Sequence, residues 1–365
     1  MDVFKMMGRH NHEQVVFCSE REIGLRAIIA VHDTTLGPSL GGCRFYNYSS
    51  DDDALYDVLR LSRAMTYKAS IAGLNLGGGK SVIIGDPEKE RNEYLFRAFG
   101  RFVNGLGGRY ITAEDMNTTV RDMEWVRNET SYVTGISKAL GGSGDPSPVT
   151  ALGVFVGLKA AWQTKTGRED MSGIKVAVQG VGHVGYHLCQ YLHDAGAQLF
   201  ISDVNQQAVD RAVRDFKATQ IGGDEIYELD VDIFSPCAMG AILNDDTIPK
   251  IKAQVIGGAA NNQLAVSKTH GEALRKRGIL YAPDYAINAG GLINVANELE
   301  GYNQERAFKQ AEGIYHTLLE IFRVSEEQGI PTNAASDHLA EERIQKVARI
   351  KRFYNDSPNR VFKRR

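Results

Sequence analysis

The 365-residue chain holds four cysteines, Cys18, Cys43, Cys189 and Cys237, and no two of them form a C-x-x-C pair. That argues against a zinc site and against a disulfide framework. No charge sign is in surplus either: 42 Lys and Arg stand against 45 Asp and Glu, a formal net of -3. Nothing global therefore draws the chain to nucleic acid or to an anionic membrane. The basic end, "NRVFKRR", is short and reads as a solvated tail or a subunit contact. No apolar run approaches the roughly 20 residues of a membrane-spanning helix, and "MDVFKMMGRHNHEQ" has no signal-peptide core. The expectation is a reduced, cytoplasmic protein. The histidine pairs His10/His12 and His183/His187 lack the glutamate of H-E-x-x-H, so no metal is expected.

Glycine is plentiful, with 38 residues gathered in short motifs. The stretch "GLNLGGGKSVIIGDP" from Gly73 looks at first like a phosphate-cradling loop. A P-loop needs Gly, four residues, then Gly-Lys-Ser/Thr. Gly79, Lys80 and Ser81 fit, but the first position falls on Leu74, and the apolar run follows the lysine instead of preceding it. Lys80 needs another explanation.

The first 140 residues mix both kinds of element. "EQVVFCSE" and "LRAIIAVHD" read as strands, and "SDDDALYDVLRLSRAMTYKAS" as a capped helix. "GGSGDPSPVT" (Gly141 to Thr150) reads as a linker and hinge, with an ordinary surface loop as the alternative. Beyond it, helical stretches alternate with the apolar runs "IKVAVQG", "QLFISDV", "VDIFSPCA", "AQVIGGAA" and "GILYAPD", the pattern of a parallel sheet covered on both faces. "ERAFKQAEGIYHTLLEIFRVSEEQG" is the longest helical run, and another helix follows it. The expected fold is α/β in two domains with a cleft between them: an N-terminal substrate and oligomerisation domain over 1–147, and a doubly wound Rossmann-type domain over 148–330. Residues 331–365 are expected to fold back onto the first.

The strand "IKVAVQG" runs into "GVGHVG", a helical stretch follows, and a second strand ends at Asp203. Gly180 permits the tight turn, Gly182 lets the backbone approach a pyrophosphate, and Gly185 lets helix and strand pack closely. The pyrophosphate would sit at the helix N-terminus. Asp203 would accept bonds from the ribose hydroxyls and would repel a 2′-phosphate, which selects NAD over NADP. A nicotinamide cofactor in the second domain leaves the first to hold the substrate. Its candidates are Lys68, Lys80 and Asp115. Two ammonium groups brought together weaken each other's hold on a proton, so one can pair with a carboxylate while the other serves as a base. Asp115 can shuttle a proton to an amine. Taken singly, each lysine reads more readily as a solvated surface charge.

Seven motifs, "HDTTLGPSLGG", "MTYKASIAGLNLGGGKSVIIGDP", "GRYITAEDM", "GDPSPVTA", "GVGHVG", "GGAANNQL" and "YAPDYAINAGGLINVANEL", are spread along the chain from His32 to Leu299. In that order they resemble the glutamate/leucine/phenylalanine/valine dehydrogenase family, and most closely its leucine branch. The resemblance implies NAD-dependent, reversible oxidative deamination of an L-amino acid to a 2-oxo acid and ammonia. It implies that Lys68 binds the substrate carboxylate, Lys80 activates water, and Asp115 moves protons at the amino nitrogen. The backbone of Gly41 and Gly42 would lie beside the substrate, and Leu40, Ala113, Leu292 and Val295 would meet its side chain. Thr150 would contact the nicotinamide amide, and Asn262 and Asn288 would position cofactor and substrate. Further cofactor contacts would come from Val181, His183 and Val184 within the glycine motif, and from Cys237, Ala238, Ala260 and Asn261. Octamers are implied by the leucine branch. An apolar side-chain pocket excludes glutamate, whose carboxylate would be buried unpaired. Small Ala113 favours leucine, isoleucine and valine. Leu292, a residue typical of the phenylalanine branch, leaves phenylalanine or tryptophan as the alternative.

Overall fold

The computed structural model describes residues 2–350. The basic tail and the end of the closing segment lie outside the described residues. Contacts divide the chain into two units. Of the described residues, the first unit takes 2–144, 295–303 and those from Ala340 on. The second takes 145–294 and 304–339. The return of 295–303 to the first unit is absent from the sequence reading.

The first unit runs α1 (Val3–Gly8), β1 (Gln14–Glu20), β2 (Leu25–Asp33), β3 (Ser39–Tyr46), α2 (Asp51–Ile71), β4 (Gly77–Ile84), α3 (Glu93–Gly105), β5 (Tyr110–Glu114) and α4 (Val120–Arg127). The strands form one sheet in the order β1-β2-β4-β3-β5. β2 pairs antiparallel with β1 and β4, and β3 lies parallel to β4 and β5. Alternation along the strands sends Ile28, Ala30 and Val82 to one face, where they pack on Leu55, Val58 and Leu59 of α2. Ile29, Cys43, Phe45 and Ile83 go to the other face, with Phe96 and Phe99 of α3 and Met123 and Val126 of α4. Ser50 caps α2 through the Asp53 amide, and three aspartates fill its first turn, where the helix dipole favours anions.

The glycine cluster before Lys80 belongs to a strand, in keeping with the rejection of a phosphate loop. Gly77–Gly79 are strand residues of β4, in the middle of the sheet, and not part of a turn or a phosphate loop. A Cβ on Gly78 would stand 2.1 Å from the Thr66 amide nitrogen, so glycine is what lets α2 lie on this strand.

The second unit begins with α5 (Ser147–Thr166), β6 (Lys175–Gln179), α6 (His183–Asp194), β7 (Gln198–Ser202), α7 (Gln206–Phe216) and β8 (Thr219–Gln220). It continues through β9 (Ile233–Pro236), β10 (Val255–Ile256), α8 (Ser267–Lys276), β11 (Leu280–Tyr281) and α9 (Asp284–Ile287). The chain then forms α10 (Gly290–Ala296), α11 (Gln304–Glu312), α12 (Ile314–Gln328) and α13 (Thr332–Ala348). Its strands, all paired in parallel, run β11-β10-β9-β6-β7-β8. In chain order that is the doubly wound 3-2-1-4-5-6 arrangement, whose direction reverses between β6 and β9.

Two expectations shift here. The linker is shorter than expected, because Ser147 already starts α5 and Pro148 sits in its first turn, where a missing N–H costs nothing. The long helical run is two helices, broken at Gly313.

Within the first unit, Arg343 closes the C-terminal end of α2. Its guanidinium donates to the carbonyls of Leu74 (2.7 Å) and Ser70 (3.2 Å) and to Asn75 Oδ1 (2.9 Å). Ser70 Oγ donates to the Ala340 carbonyl at 2.9 Å, and Tyr67 OH bonds Glu341. Arg343→Met should therefore strip the Leu74 carbonyl of its guanidinium donor and cost about 2 kcal/mol, in the range for bonds to a charged donor. Hydrogen exchange should show the loss as faster exchange confined to the last turn of α2 and residues 72–76.

Candidate active site

Strand register assembles the first cluster. β3 and β4 pair Leu40 with Gly78 and Cys43 with Ser81, so Gly42 stands opposite Lys80. On its other side Gly42 pairs with Ala113 of β5. Paired residues of neighbouring strands point to the same face. Lys80, Gly42 and Ala113 thus form one row on the α2 side, with Leu40 in the preceding row and Arg44 in the next. Asp115 follows the end of β5. Its approach depends on the missing side chain at Gly42, where a Cβ would come within 2.8 Å of Asp115 Cβ and 2.3 Å of the Glu114 carbonyl oxygen.

Lys80 is buried, and its ammonium donates to Asp115 Oδ2. Arg44 Nε donates to Asp115 Oδ1 at 3.0 Å, while Arg44 Nη1 reaches Asp57 Oδ2 at 2.8 Å. Tyr48 OH (2.8 Å) and Arg60 (2.6 Å) also donate to Asp57. Burial alone would raise the Asp115 carboxyl. The charge and hydrogen bond of Lys80, then the charge of Arg44, outweigh it and hold the group down at about 2. Asp115 is a fixed carboxylate with one cation on each oxygen. The expected arrangement of two lysines facing each other is thereby modified, since Lys80 has its acid in direct contact. Lys68 stands half-buried in the last turn of α2, the helix over the same face, where the dipole favours an ammonium.

The structure thus brings Lys80, Asp115, Leu40, Gly41, Gly42 and Ala113 together in the first unit. Val295 belongs to that unit too, while Leu292, Asn288, Thr150 and the glycine motif belong to the second. Arg44 and Asp57 escaped the sequence reading. The signal for Arg44 was strand alternation, two residues beyond Gly42. Glu298 was also missed. It is buried, accepts from the Ser143 amide (2.8 Å), Ser143 Oγ (2.5 Å) and the Gly135 amide (3.1 Å), and burial pushes its carboxyl up. Nothing in "NELEG" distinguishes it from a surface acid.

In the second unit the three motif glycines differ in what surrounds them. Gly180 adopts φ +98°, and a Cβ there would press on Ala238 at 2.7 Å. A Cβ on Gly185 would come 2.0 Å from the Gly180 carbonyl oxygen, so the helix touches the turn. Around Gly182 nothing lies within 4 Å of that position. The motif therefore leaves open space at its middle glycine, at the N-terminus of α6, and this fits a pyrophosphate. Asp203 Oδ2 accepts the Val181 amide at 2.7 Å and Oδ1 the Asn205 amide at 2.8 Å, which fastens the acid to the turn. His183 and Val184 open α6. Cys237 and Ala238 follow β9 at the switch point. Two strongly exposed apolar side chains, Val204 and Met239, follow β7 and β9 and were also missed. Asn288 Nδ2 donates to Asn261 Oδ1 at 2.8 Å and to the Ala259 carbonyl at 3.0 Å, which ties the "NNQ" turn after Ala260 to the start of "NAGG". Asn262 there has φ +53°. Thr150 Oγ1 donates to the Pro146 carbonyl at 2.9 Å, which leaves its lone pairs for an amide donor.

The Asp115 cluster has a pH signature. Its carboxyl lies below the unfolded value of about 3.9. Its stabilising contribution is therefore present above that value and lost as pH falls towards about 2. Urea unfolding of the wild type and Asp115→Asn should show a constant difference from about pH 6 to 5 that shrinks between roughly pH 4 and 2. A difference unchanged across that interval would refute the pairing.

The profile of the Glu/Leu/Phe/Val dehydrogenase dimerisation domain matches residues 12–132, and that of Glutamate/Leucine/Phenylalanine/Valine dehydrogenase matches 141–209 and 199–337. Leucine dehydrogenase of Bacillus subtilis (strain 168) is 55% identical over the whole of both chains. Leucine dehydrogenase of Geobacillus stearothermophilus is 54% identical over 100% of this chain and 99% of its own. The crystal structure of L-tryptophan dehydrogenase from Nostoc punctiforme superposes with a TM-score of 0.86 at 50% identity, over 95% of this chain and 99% of that one. Matched profiles along nearly its whole length, a doubly wound sheet with a dinucleotide turn and a buried lysine–aspartate pair make one conclusion plain: the chain belongs to the glutamate/leucine/phenylalanine/valine dehydrogenase family of amino acid oxidoreductases.

Proposed function

We propose that the protein oxidises a branched-chain L-amino acid, leucine foremost with valine and isoleucine, to its 2-oxo acid and ammonia, using NAD. The observation that carries the reading is the Lys80–Asp115 pair on a glycine-lined strand row beside apolar Leu40 and Ala113. Family membership implies a nicotinamide cofactor. Its choice as NAD rests on Asp203, a carboxylate where a 2′-phosphate would be repelled, with no arginine in the "DVNQQ" that begins there. The residues that would hold the cofactor are Gly180, Val181, Gly182, His183, Val184, Gly185, Asp203, Cys237, Ala238, Ala260, Asn261, Asn262 and Thr150. A bound nicotinamide supplies the hydride acceptor for the substrate α-carbon.

The chain's own part is charge and proton management. Lys68 pairs with the substrate carboxylate. Asp115, already an anion, takes the proton that the substrate ammonium must lose and stabilises the positive charge that develops at that nitrogen. Lys80, once its ammonium has released a proton to solvent, takes a proton from the water that adds to the imine carbon; Asp115 returns its proton to the amino nitrogen, and ammonia leaves as the new hydroxyl gives its proton to Asp115. Arg44 orients Asp115 through its second oxygen. Leu40, Ala113, Leu292 and Val295 meet the side chain, and Asn288 orients the substrate. The alternative substrates are phenylalanine and tryptophan. The aliphatic reading is supported by Ala113 and by the leucine dehydrogenases at 54–55% identity. The aromatic reading is supported by Leu292 and by the L-tryptophan dehydrogenase neighbour.

We further propose a homo-oligomer, octameric as in the leucine branch. The dimerisation-domain profile over 12–132 supports assembly, as do Phe17 and Tyr94, which stand exposed on β1 and α3. Among the described residues no helix is long and apolar enough to cross a membrane. The four thiols are free, which suits a cytoplasmic setting.

Initial rates of NADH formation with leucine, valine, isoleucine, phenylalanine and tryptophan test the assignment. Leucine should lead, with the neighbouring aliphatics within about 10–200-fold because one methylene is worth little in such a pocket. A clear preference for either aromatic refutes it. Replacing NAD with NADP should cost most of the activity. Lys80→Ala should lower kcat by roughly 10²–10⁴-fold, the usual range for loss of a general base.

A further inference from the structure

The pairing of β3 with β4 runs through Ser39–Gly77 and Leu40–Gly78, lapses at Gly41 and Gly42, and resumes at Cys43–Ser81 in the same register. In a parallel ladder the hydrogen bond common to the two missing pairs runs from the Gly42 N–H to the Gly79 carbonyl. At the lapse the two strands crowd together: a Cβ on Gly41 would stand 1.7 Å from the Gly79 carbonyl oxygen. On the β5 side the pairing continues unbroken through Gly41–Thr112 and Gly42–Ala113. The breach is therefore confined to one edge of one peptide, in the row that holds Lys80.

Tyr110 reaches this peptide from the opposite, core face of the sheet. It is fully buried, and its hydroxyl donates to the Gly41 carbonyl at 2.6 Å. A phenol has one proton to give, so the Ser81 hydroxyl, 2.9 Å away, donates to the phenol oxygen. Gly79 makes room for the ring, since a Cβ there would come 2.6 Å from Tyr110 Cδ2. Burial keeps the phenol protonated.

We propose that Tyr110 is a positioning residue for the amino acid substrate. Its hydroxyl, oriented by Ser81, holds the Gly41–Gly42 peptide out of the ladder, so that the Gly42 N–H is available to the substrate carboxylate on the face that carries Lys80 and Asp115. The inference rests on the reading of that face as the substrate site. Turnover of any L-amino acid by the wild type tests that reading separately.

The test is steady-state kinetics of Tyr110→Phe, which keeps the ring and removes the donor. The KM for the amino acid should rise about tenfold, the size of one lost hydrogen bond. The KM for the nicotinamide cofactor should stay unchanged, and kcat should fall less than about threefold. Ser81→Ala should move the amino acid KM in the same direction by a smaller factor. A purely structural tyrosine would lower the melting temperature without this split. The proposal is overturned if the amino acid KM stays within twofold of wild type in both variants, if both KM values rise together, or if kcat alone falls. Should Tyr110→Phe fail to fold, Ser81→Ala decides by the same criteria.

Discussion

A buried ammonium survives only beside an acid, and the contact of Lys80 with Asp115 is the interaction on which the first unit is organised. An unpaired charge at that depth would cost several kcal/mol. The sheet meets the requirement by geometry. Parallel register puts Lys80, Gly42 and Ala113 abreast, and the absent side chain at Gly42 opens the gap through which Asp115 approaches. Arg44 then occupies the second carboxylate oxygen, and Asp57 balances Arg44. What results is an anion held between two cations.

The fold was largely legible because it depends on periodicity and punctuation. The strands from "IKVAVQG" to "GILYAPD" are the near-continuous apolar runs that a sheet covered on both faces requires, and all five form strands. β8 escaped because Thr219 and Gln220 are two exposed residues with no apolar pattern. Gly313 escaped because a single glycine inside a helical period is an ambiguous signal. The glycines before Lys80 are ambiguous in sequence for a physical reason. Glycine marks both tight turns and close packing, and sequence alone does not say which neighbour is coming. Here the neighbours are α2 for Gly78 and the Tyr110 ring for Gly79.

Site residues were legible in proportion to how local their chemistry is. The dinucleotide turn is contiguous, so each glycine had an assignable duty before any coordinates. Lys80 and Asp115 lie 35 residues apart and meet only through strand register. Arg44, Asp57 and Glu298 act through partners far away in the chain, and short motifs contain no trace of those partners. Glu298 reaches Ser143 across 155 residues.

Asp203 has a double attachment. The carboxylate proposed to meet the ribose is also bonded to the amide of Val181, inside the glycine turn itself. On that proposal, recognition of the coenzyme's sugar and the shape of the loop beneath its phosphates share one strut. An engineer who exchanged this acid to admit a phosphorylated ribose would also unfasten the loop. The exchange would need a second substitution that restores an acceptor for that amide.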